Sequence, residues 1–344
     1  MYPFREMKIL KLQQIVLLIM LVGIGQVNQS VAQQKQTKLD QQITAGLMQK
    51  IVDRNQGYYK EGKVADYIPE LGKANPKAIA FSVVKSNGEI INVGDVKEKF
   101  TIQSISKVIA LMIAVQEKGE KALYERIGYY GTEKAFNHYA NLETAGKPLN
   151  PMMNAGAILT TAFIEGEGDV AYQKILQMLR YITKNESITI NEAVYLSEKE
   201  TGHRNRGIFY LLKNNGLIEG EENKLDNYFK QCSIEVTAED LAKIGYFYAN
   251  GCTRFDGDKT YYNRDLARLI QAQMLIAGMY DFSGEYARTV GLPSKSGVGG
   301  GIAVSVPNKM GIGVFNPALD QHGNSVVGYH MLYDFVNQLD LSLF

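Results

Sequence analysis

Apolar residues along the chain change from a strand period to a helix period and back to a strand period. Apolar runs bounded by turn residues predict strands at 77–85 and 89–93, joined at Ser-Asn-Gly (86–88), and again within 301–315. Elsewhere the three-to-four-residue spacing of apolar positions predicts helices. The predicted helices cover 39–57, 101–117, 158–164, 169–183, 190–200, 206–217, 225–229, 238–249, 263–275 and 326–341.

This order of elements predicts how the chain is organised. Strands near both ends and helices between them require the two ends to share one sheet, which leaves the middle as a helical lobe. We therefore expect an α/β (α+β) fold with a sheet subdomain at about 33–100 and 275–344 and a helical subdomain at about 101–274. The chain is long enough to bury a large core as one domain or two interwoven ones.

The first 32 residues are set apart by a different pattern. Arg5, Lys8 and Lys11 precede an apolar run of eleven residues (15–25), and Ser-Val-Ala (30–32) follows with small residues at a cleavage position. This pattern predicts a signal peptide cleaved after Ala32 and a periplasmic or secreted protein. An uncleaved anchor is the alternative, although eleven residues are short for a bilayer. We expect no stable membrane insertion after cleavage.

Charge and composition exclude several classes of protein. The 37 basic and 36 acidic residues nearly balance, which argues against a nucleic-acid-binding protein. The four histidines have no metal-ligand spacing and no Ser-His-Asp order, so neither a metal site nor another cofactor is predicted. Cys232 and Cys252 form a disulfide or, more in keeping with the apolar surroundings of Cys232 and the size of the domain, remain free thiols.

The first turns of the predicted helix 101–117 carry the strongest chemical signal. Ser104 and Lys107 are three residues apart and so lie on one helical face, one turn from each other. Burial lowers the pKa of a lysine amine, which makes it a base able to take the serine proton. A second Ser-x-x-Lys, Ser82 to Lys85, lies on a predicted strand, where residues three apart face opposite sides. Ser104 and Lys107 are therefore the candidate nucleophile and base.

A distant motif strengthens this candidate. Lys-Ser-Gly (295–297) lies late in the chain before a predicted strand, and Ser-x-x-Lys with a late Lys-[Thr/Ser]-Gly is typical of penicillin-recognising serine enzymes. The third motif of those enzymes, Tyr/Ser-x-Asn, has two formal matches. Both Tyr-Ala-Asn (139–141) and Tyr-Ala-Asn (248–250) lie at predicted helix ends, where Asn has a capping role, and we interpret both as structural.

Eight motifs follow one another along the chain between residues 64 and 325. They are Val-Ala-Asp-Tyr-Ile-Pro (64–69), Gln-Ser-Ile-Ser-Lys (103–107), Asn-Pro-Met-Met-Asn-Ala-Gly-Ala (150–157), Ser-Glu-Lys-Glu-Thr-Gly-His-Arg-Asn (197–205), Tyr-Phe-Lys-Gln-Cys-Ser-Ile-Glu-Val (228–236), Gly-Met-Tyr-Asp-Phe-Ser-Gly (278–284), Gly-Leu-Pro-Ser-Lys-Ser-Gly-Val (291–298) and Leu-Asp-Gln-His-Gly-Asn-Ser (319–325). In this order they resemble the motifs of the serine-dependent glutaminases, and the resemblance extends over most of 40–340. It implies a β-lactamase-like fold with an antiparallel sheet.

The resemblance implies a reaction and a role for each matched residue. L-glutamine would be hydrolysed to L-glutamate and ammonia through a covalent glutamyl intermediate on Ser104, with Lys107 as the base. Tyr280 would donate a proton to the departing ammonia, and the backbone N–H groups of Ser104 and Val298 would form the oxyanion hole. Glu198 would hold the substrate ammonium. The remaining head-group contacts would come from Tyr67, Asn154, Asn205 and Tyr228.

Some features depart from the family pattern or leave a choice open. Cys252 and Ser294 replace common small residues, and the loop behind Val298 is rich in glycine. The predicted export signal is the largest departure, since most relatives act inside cells or mitochondria. A periplasmic penicillin-binding or β-lactamase-type hydrolase is the rival interpretation. The resemblance also implies a homodimer or homotetramer and no cofactor.

Overall fold

The computed structural model describes residues 34–139, 142 and 145–344. The predicted signal peptide and its cleavage site lie outside these described residues. A compact unit that ends at Thr44 contains a helical segment at residues 34–42, and a second compact unit, Ala45–Phe344, contains every element named below. The single helix predicted at 39–57 is therefore wrong, because residues 43–44 interrupt it. Within the described ranges no helix combines the length and apolarity needed to cross a bilayer.

The second unit contains twelve α-helices and seven strands within its described residues. The helices are α1 (Ala45–Asn55), α2 (Ser106–Lys118), α3 (Glu120–Tyr124), α4 (Asn154–Phe163), α5 (Val170–Thr183), α6 (Glu192–Thr201), α7 (His203–Asn214), α8 (Asn223–Cys232), α9 (Ala238–Ala249), α10 (Arg264–Ala277), α11 (Ser283–Thr289) and α12 (Val326–Leu339). The strands are β1 (Ala80–Val84), β2 (Ile90–Gly94), β3 (Phe100–Thr101), β4 (Glu235–Val236), β5 (Ser294–Ser296), β6 (Gly301–Val306) and β7 (Met310–Phe315). Short 3₁₀ helices cover Gln56–Glu61, Leu71–Lys73, Gln103–Ile105 and Tyr280–Phe282.

The main sheet joins the two ends of the second unit. Its five strands follow the order β2-β1-β7-β6-β5, and every neighbouring pair is antiparallel. Phe81 of β1 lies opposite Val314 of β7, so two segments more than 230 residues apart share a ladder. The prediction of an antiparallel sheet built from both chain ends is confirmed.

Two short strand pairings differ from the sequence-based expectation. The sequence predicts that Lys295 precedes a strand, but Lys295 lies inside β5, where it pairs with Ala303 of β6. The glycine-rich sequence around β5 gives no alternating strand pattern, so the sequence does not predict this strand. All three β5 residues are buried, which favours their pairing with β6. A separate two-stranded sheet pairs β3 with β4 through Phe100 and Val236. Two-residue strands are too short to give a periodic signal, so the sequence did not predict this sheet.

The helices enclose a core that fixes the start of α2. All residues of α2 from Ser106 to Ala114 are buried, which is why its apolar residues occur on every face instead of one stripe. Helix α9 packs against β1, β6 and β7, while α2 packs against α4, α5 and α10. The 3₁₀ helix Gln103–Ile105, which leads into α2, contacts β5 and β6, so the start of α2 lies between the sheet and the helices.

Candidate active site

Ser104 lies in the 3₁₀ helix Gln103–Ile105, which leads directly into α2. The predicted helix therefore exists, although its first turn is 3₁₀ and the α-helix starts at Ser106. Gln103 has a backbone φ of 48°, in the left-handed region that non-glycine residues rarely occupy. Strained backbone of this kind concentrates at functional sites, where the surrounding structure holds it in place.

Lys107 follows one turn later, with its side chain buried in the protein. Its Nζ donates to the backbone oxygen of Met152 at 2.9 Å and to Oδ1 of Asn154 at 2.8 Å. It forms no ion pair with any carboxylate of the described residues. Burial lowers the pKa of Lys107 to about 8, while nearby Cys232 and Glu198 act in the opposite direction. A substantial fraction of this amine is therefore neutral at mildly alkaline pH and able to accept a proton.

Asn154 connects three other predicted site residues. Its Oδ1 accepts from Lys107 and, at 3.2 Å, from the hydroxyl of Tyr228. Its Nδ2 donates to Oδ1 of Asn205 at 2.9 Å. Because both ends of the amide are engaged, Asn154 fixes Lys107, Tyr228 and Asn205 relative to one another.

The turn before α4 supplies the second acceptor for Lys107. Oδ1 of Asn150 accepts from the backbone nitrogens of Met152 and Met153 at 2.9 and 3.0 Å. The Asn150 side-chain nitrogen also donates to the backbone oxygen of Tyr130 at 2.6 Å. This Asx turn holds the chain so that the Met152 carbonyl meets the lysine amine.

Glu198 lies on α6 and is buried, with 6% of its surface exposed. Its Oε2 has no hydrogen-bond partner within the described residues. Burial raises the pKa of Glu198 to about 8, and Gln103 and Lys107 act to lower it. A buried carboxylate oxygen without a partner is costly, and a cationic or hydrogen-bond-donating ligand would satisfy it.

Tyr280 lies in a 3₁₀ helix and also has a left-handed backbone, with φ of 58°. Its hydroxyl donates to the backbone oxygen of Ser296 at 3.1 Å. Burial raises the pKa of Tyr280, whereas its hydrogen-bonding neighbours Ser104 and Ser296 act to lower it. Tyr280 therefore stays protonated near neutral pH and lies beside the candidate nucleophile.

Val298 follows β5 in a buried turn. A Cβ on its neighbour Gly297 would lie 2.6 Å from the backbone oxygen of Ile102, so only glycine allows this turn to approach the segment before Ser104. No acceptor within the described residues receives the backbone N–H of Val298. This close approach of two backbone segments is the arrangement that an oxyanion hole made from Ser104 and Val298 requires.

A cavity of about 110 Å³ opens over these groups. One water-sized probe needs only about 10–15 Å³ of such volume, so the cavity accommodates a small molecule. Lys107 and Tyr280 are not among its lining residues, but Lys107 contacts Asn154 and Tyr280 contacts Ser104, and both of these residues line it. The lining contains Tyr67, Ile68, Gln103, Ser104, Phe136, Asn137, Asn154, Glu198, Thr201, Gly202, Arg204, Asn205, Tyr228, Cys232 and Val298.

Several lining residues were not predicted as site residues. The Phe136–Asn137 segment forms one wall of the cavity. It is held next to the site because the Phe136 carbonyl accepts from the Asn154 backbone N–H at 2.9 Å. Nε of Arg204 donates to the Asn137 carbonyl at 2.8 Å. Residues 120–145 carry no clear periodicity, so no sequence signal marks this wall. Arg204 precedes Asn205 within one of the eight motifs. Its positive charge next to a predicted binding residue was the sequence signal that could have identified it as a site residue.

Three of the residues that the sequence predicts to be structural make contacts away from the candidate nucleophile. The Ser82 hydroxyl donates to Asn92 at 2.6 Å, and Lys85 pairs with Glu89 at 3.3 Å. The Tyr248 hydroxyl donates to the Val108 carbonyl at 3.1 Å, and Tyr248 is not among the residues that line the cavity. The second match at 139–141 includes residues outside the described part.

The two cysteines are buried free thiols, as expected from the size of the domain and the apolar surroundings of Cys232. Cys232 lies at the C-terminal end of α8 and lines the cavity. Burial raises the pKa of its thiol well above the ordinary value. It is therefore held as a neutral, unreactive thiol beside the site.

Comparisons with known proteins identify the family of this chain. The glutaminase family model matches residues 62–344. Glutaminase 2 of Clostridium perfringens is 47% identical over 302 residues, which cover 86% of this chain and 99% of that protein. A probable glutaminase of Bacillus subtilis has a TM-score of 0.81 at 35% identity, covering 87% of this chain and 97% of its own.

A further solved structure is a covalent complex of Bacillus subtilis glutaminase with 5-oxo-L-norleucine, formed by reaction with 6-diazo-5-oxo-L-norleucine. It has a TM-score of 0.78 at 35% identity and covers 87% of this chain and 99% of its own. The β-lactamase-like fold expected from the motifs is thereby confirmed. With the profile, the sequence relatives and the fold in agreement, this chain is an enzyme that belongs to the glutaminase family.

Proposed function

We propose that this enzyme hydrolyses L-glutamine to L-glutamate and ammonia with Ser104 as nucleophile and Lys107 as base. The observation that carries the proposal is the buried, unpaired Lys107 amine one turn from Ser104, held by Asn154 and the Met152 carbonyl. Its lowered pKa gives a base near physiological pH without a histidine.

The charges in the cavity lining favour a free α-amino acid as substrate. Glu198 is its acidic residue and Arg204 its basic residue among the described lining residues. This pair complements an ammonium and a carboxylate. Tyr67, Asn154, Asn205 and Tyr228 supply hydroxyl and amide groups around the same space. The side-chain amide of glutamine would then extend toward Ser104.

The proposed reaction has two halves. Lys107 takes the Ser104 proton while Oγ attacks the side-chain amide carbon, and the resulting oxyanion is stabilised by the N–H groups of Ser104 and Val298. Tyr280 donates a proton to the amide nitrogen as the carbon–nitrogen bond breaks, which releases ammonia. The proton on Lys107 then passes to the Tyr280 phenolate, which restores the neutral amine and the tyrosine hydroxyl. Lys107 next takes a proton from water as the water attacks the glutamyl ester, and it returns that proton to Ser104 Oγ when the ester bond breaks and glutamate is released.

Ammonia release from L-glutamine and L-asparagine, measured in parallel with the colour change of a chromogenic cephalosporin, tests the proposal. Glutamine should be hydrolysed, and Ser104→Ala should lose turnover while retaining glutamine binding, because the nucleophile contributes little to ground-state affinity. Intact mass spectrometry after a rapid quench should detect the glutamyl adduct only when Ser104 is present. Glutamine hydrolysis that survives Ser104→Ala would contradict the mechanism.

The rival penicillin-type hydrolase is not favoured. The narrow cavity with its buried Glu198 suits a small zwitterion better than a peptidoglycan strand, and the matched family is glutaminase. Cephalosporin hydrolysis without glutamine hydrolysis would revive this rival.

We also propose that the protein is exported from the cytoplasm and that it forms a homodimer or homotetramer. Export rests on the basic, apolar and small-residue pattern of residues 1–32. N-terminal sequencing of the protein from cell fractions should find Gln33 first, outside the cytoplasm. Light scattering of the purified enzyme should give the mass of a dimer or tetramer, as the family resemblance implies.

A further inference from the structure

A second buried lysine, Lys295, has no role in the proposed reaction. It is fully buried in β5 and forms no ion pair with the described carboxylates. Its Nζ donates to the backbone oxygens of Gly278 at 3.1 Å and Ser296 at 2.6 Å. Lysine is rarely buried without an acidic partner, so its retention here calls for a specific contact.

Both of these carbonyls belong to the surroundings of Tyr280. The Ser296 oxygen that accepts from Lys295 also accepts from the Tyr280 hydroxyl, at 3.1 Å. Gly278 lies two residues before Tyr280, and its oxygen also accepts from the backbone nitrogen of Ser296 at 3.0 Å. The Lys295 amine therefore joins the strand that carries Ser296 to the segment that leads into Tyr280.

The amine also lies against the tyrosine ring, with Nζ 4.6 Å from the ring centroid. It thus contacts the ring and shares the acceptor of the hydroxyl. The Tyr280 backbone is in the left-handed region, at φ of 58°, and needs surrounding contacts to stay there. A lysine amine donates hydrogen bonds whether or not it is protonated, so these contacts do not depend on its charge.

We propose that Lys295 is the positioning residue for Tyr280, holding its hydroxyl where it donates a proton to the departing nitrogen. This inference rests on the proposed function. Loss of the amine removes a donor from the Ser296 carbonyl and the support beside the ring, which frees the hydroxyl to move relative to Ser104.

The leaving group separates this role from a general structural one. Amide cleavage breaks the carbon–nitrogen bond, and the nitrogen leaves with the electron pair and takes a proton from Tyr280. In the γ-methyl thioester of L-glutamate, the carbon–sulfur bond breaks, and methanethiolate leaves with the electron pair without a proton. A defect in the proton donor should therefore affect glutamine far more than the thioester.

The experiment measures kcat/KM for both substrates with wild type, Lys295→Met, Tyr280→Phe and the double variant. General acid catalysis contributes about 10²–10⁴-fold, so we expect Lys295→Met to lose about 10²-fold or more on glutamine and less than about 10-fold on the thioester. The double variant should lose no more than Tyr280→Phe alone, because the lysine acts through the tyrosine. Equal losses on both substrates, or losses that multiply in the double variant, would overturn the proposal.

Lys243→Met is the matched control. Lys243 is also a largely buried lysine, but it pairs with Glu239 at 2.7 Å and does not line the cavity. Its replacement should leave the ratio of the two kcat/KM values unchanged. Thermal unfolding shows whether Lys295→Met is folded. If it is not, Lys295→Arg replaces it in the same kinetic comparison, because a guanidinium cannot make the same two contacts as the lysine amine. Wild-type ammonia release that depends on Ser104 establishes the proposed function separately from either result.

Discussion

Two buried ionisable groups, Lys107 and Glu198, determine how the empty site responds to pH. Burial shifts the pKa of each toward about 8, from opposite directions. The active form needs the lysine neutral and the carboxylate ionised, so both groups must lose a proton as pH rises. Neither shift needs an unusual residue, because desolvation alone disfavours each charged form.

The pH profile of kcat/KM follows from these two ionisations. We expect kcat/KM for glutamine to rise between roughly pH 6 and pH 8, with a logarithmic slope between one and two. Glu198→Gln removes one ionisation, and its residual activity should rise with a slope of one. Steady-state kinetics in overlapping buffers measures both profiles. A profile that is flat below pH 8 would exclude Lys107 as the base.

Glu198→Gln should also separate binding from stability. Removal of a buried charge partner raises KM for glutamine by about 10²-fold or more. The raised pKa of Glu198 means that the folded protein keeps a proton that the unfolded chain releases between the ordinary value of 4.5 and about 8. Folded stability therefore falls as pH rises through this window. In Glu198→Gln, the part of this loss of stability that comes from ionisation of Glu198 should be absent.

Thermal unfolding at several pH values between 5 and 8 measures this effect. Glu200→Gln is the matched control, since Glu200 is exposed on the same helix. It should change neither KM nor the pH dependence of Tm. A Glu198→Gln variant with unchanged KM would show that this carboxylate does not hold the substrate ammonium.

Arg204 should contribute through the substrate α-carboxylate. We expect Arg204→Gln to raise KM for L-glutamine about 10-fold with little change in kcat, as for a charge-assisted contact made equally in ground and transition states. For L-glutaminamide, whose α-carboxylate is replaced by an amide, the same substitution should have little effect. An equal increase in KM with both substrates would instead show that Arg204 supports the cavity wall formed by Phe136 and Asn137.

At the scale of elements, the site depends on where segments meet. The Asn150 turn presents the Met152 carbonyl, and α4 begins immediately after it with Asn154. A Cβ on Gly156 would lie 1.9 Å from the backbone oxygen of Asn150, so α4 can approach this turn only with glycine at position 156. Both acceptors of the Lys107 amine thus depend on one close backbone contact.

Gly156→Ala tests this dependence. The added methyl must displace backbone, which costs about 1–3 kcal/mol of unfolding free energy and moves both acceptors of Lys107. We expect lower Tm and a loss of kcat of about 10²-fold. Gly207→Ala is the control, because a Cβ on this α7 residue meets nothing within 4 Å. It should stabilise the protein by about 0.5–1 kcal/mol at unchanged kcat. Equal effects of the two substitutions would contradict this account.

At the scale of the whole second unit, the sheet and the helices form one interdependent core. Helix α9 belongs to the proposed helical subdomain of 101–274, yet it packs on β1, β6 and β7 of the proposed sheet subdomain. The Phe100 ring before the helical part stacks on Phe315 of β7, with centroids 4.1 Å apart. The division at 101–274 therefore remains a proposal about architecture and does not imply independent folding.

Expression of residues 101–274 alone tests that division. Without the sheet, the apolar face of α9 would be exposed to water, and we expect a fragment without a cooperative thermal transition. Circular dichroism melting and amide proton dispersion report this directly, with the full chain as the comparison. A sharp transition in the fragment would show that the helical subdomain is an independent folding unit.

The sequence by itself determined the family, the candidate reacting residues and most helices. Local spacing was enough to place Ser104 and Lys107 on one helical face, and α9 was predicted with its observed bounds because its apolar period and its Asn-Gly stop are local signals. The motifs then assigned Glu198, Asn154 and Tyr280 before any geometry was known.

Only the tertiary structure decided what surrounds those residues. The two acceptors of the Lys107 amine lie 45 and 47 residues further along the chain, and the carbonyl shared by Lys295 and Tyr280 lies 16 residues after Tyr280. The unpaired Oε2 of Glu198 is a consequence of burial in the folded protein. The two-residue strands β3 and β4 and the Phe136 wall likewise depend on partners far along the chain. Burial and long-range hydrogen bonding create these features, and neither leaves a period or a local motif in the sequence.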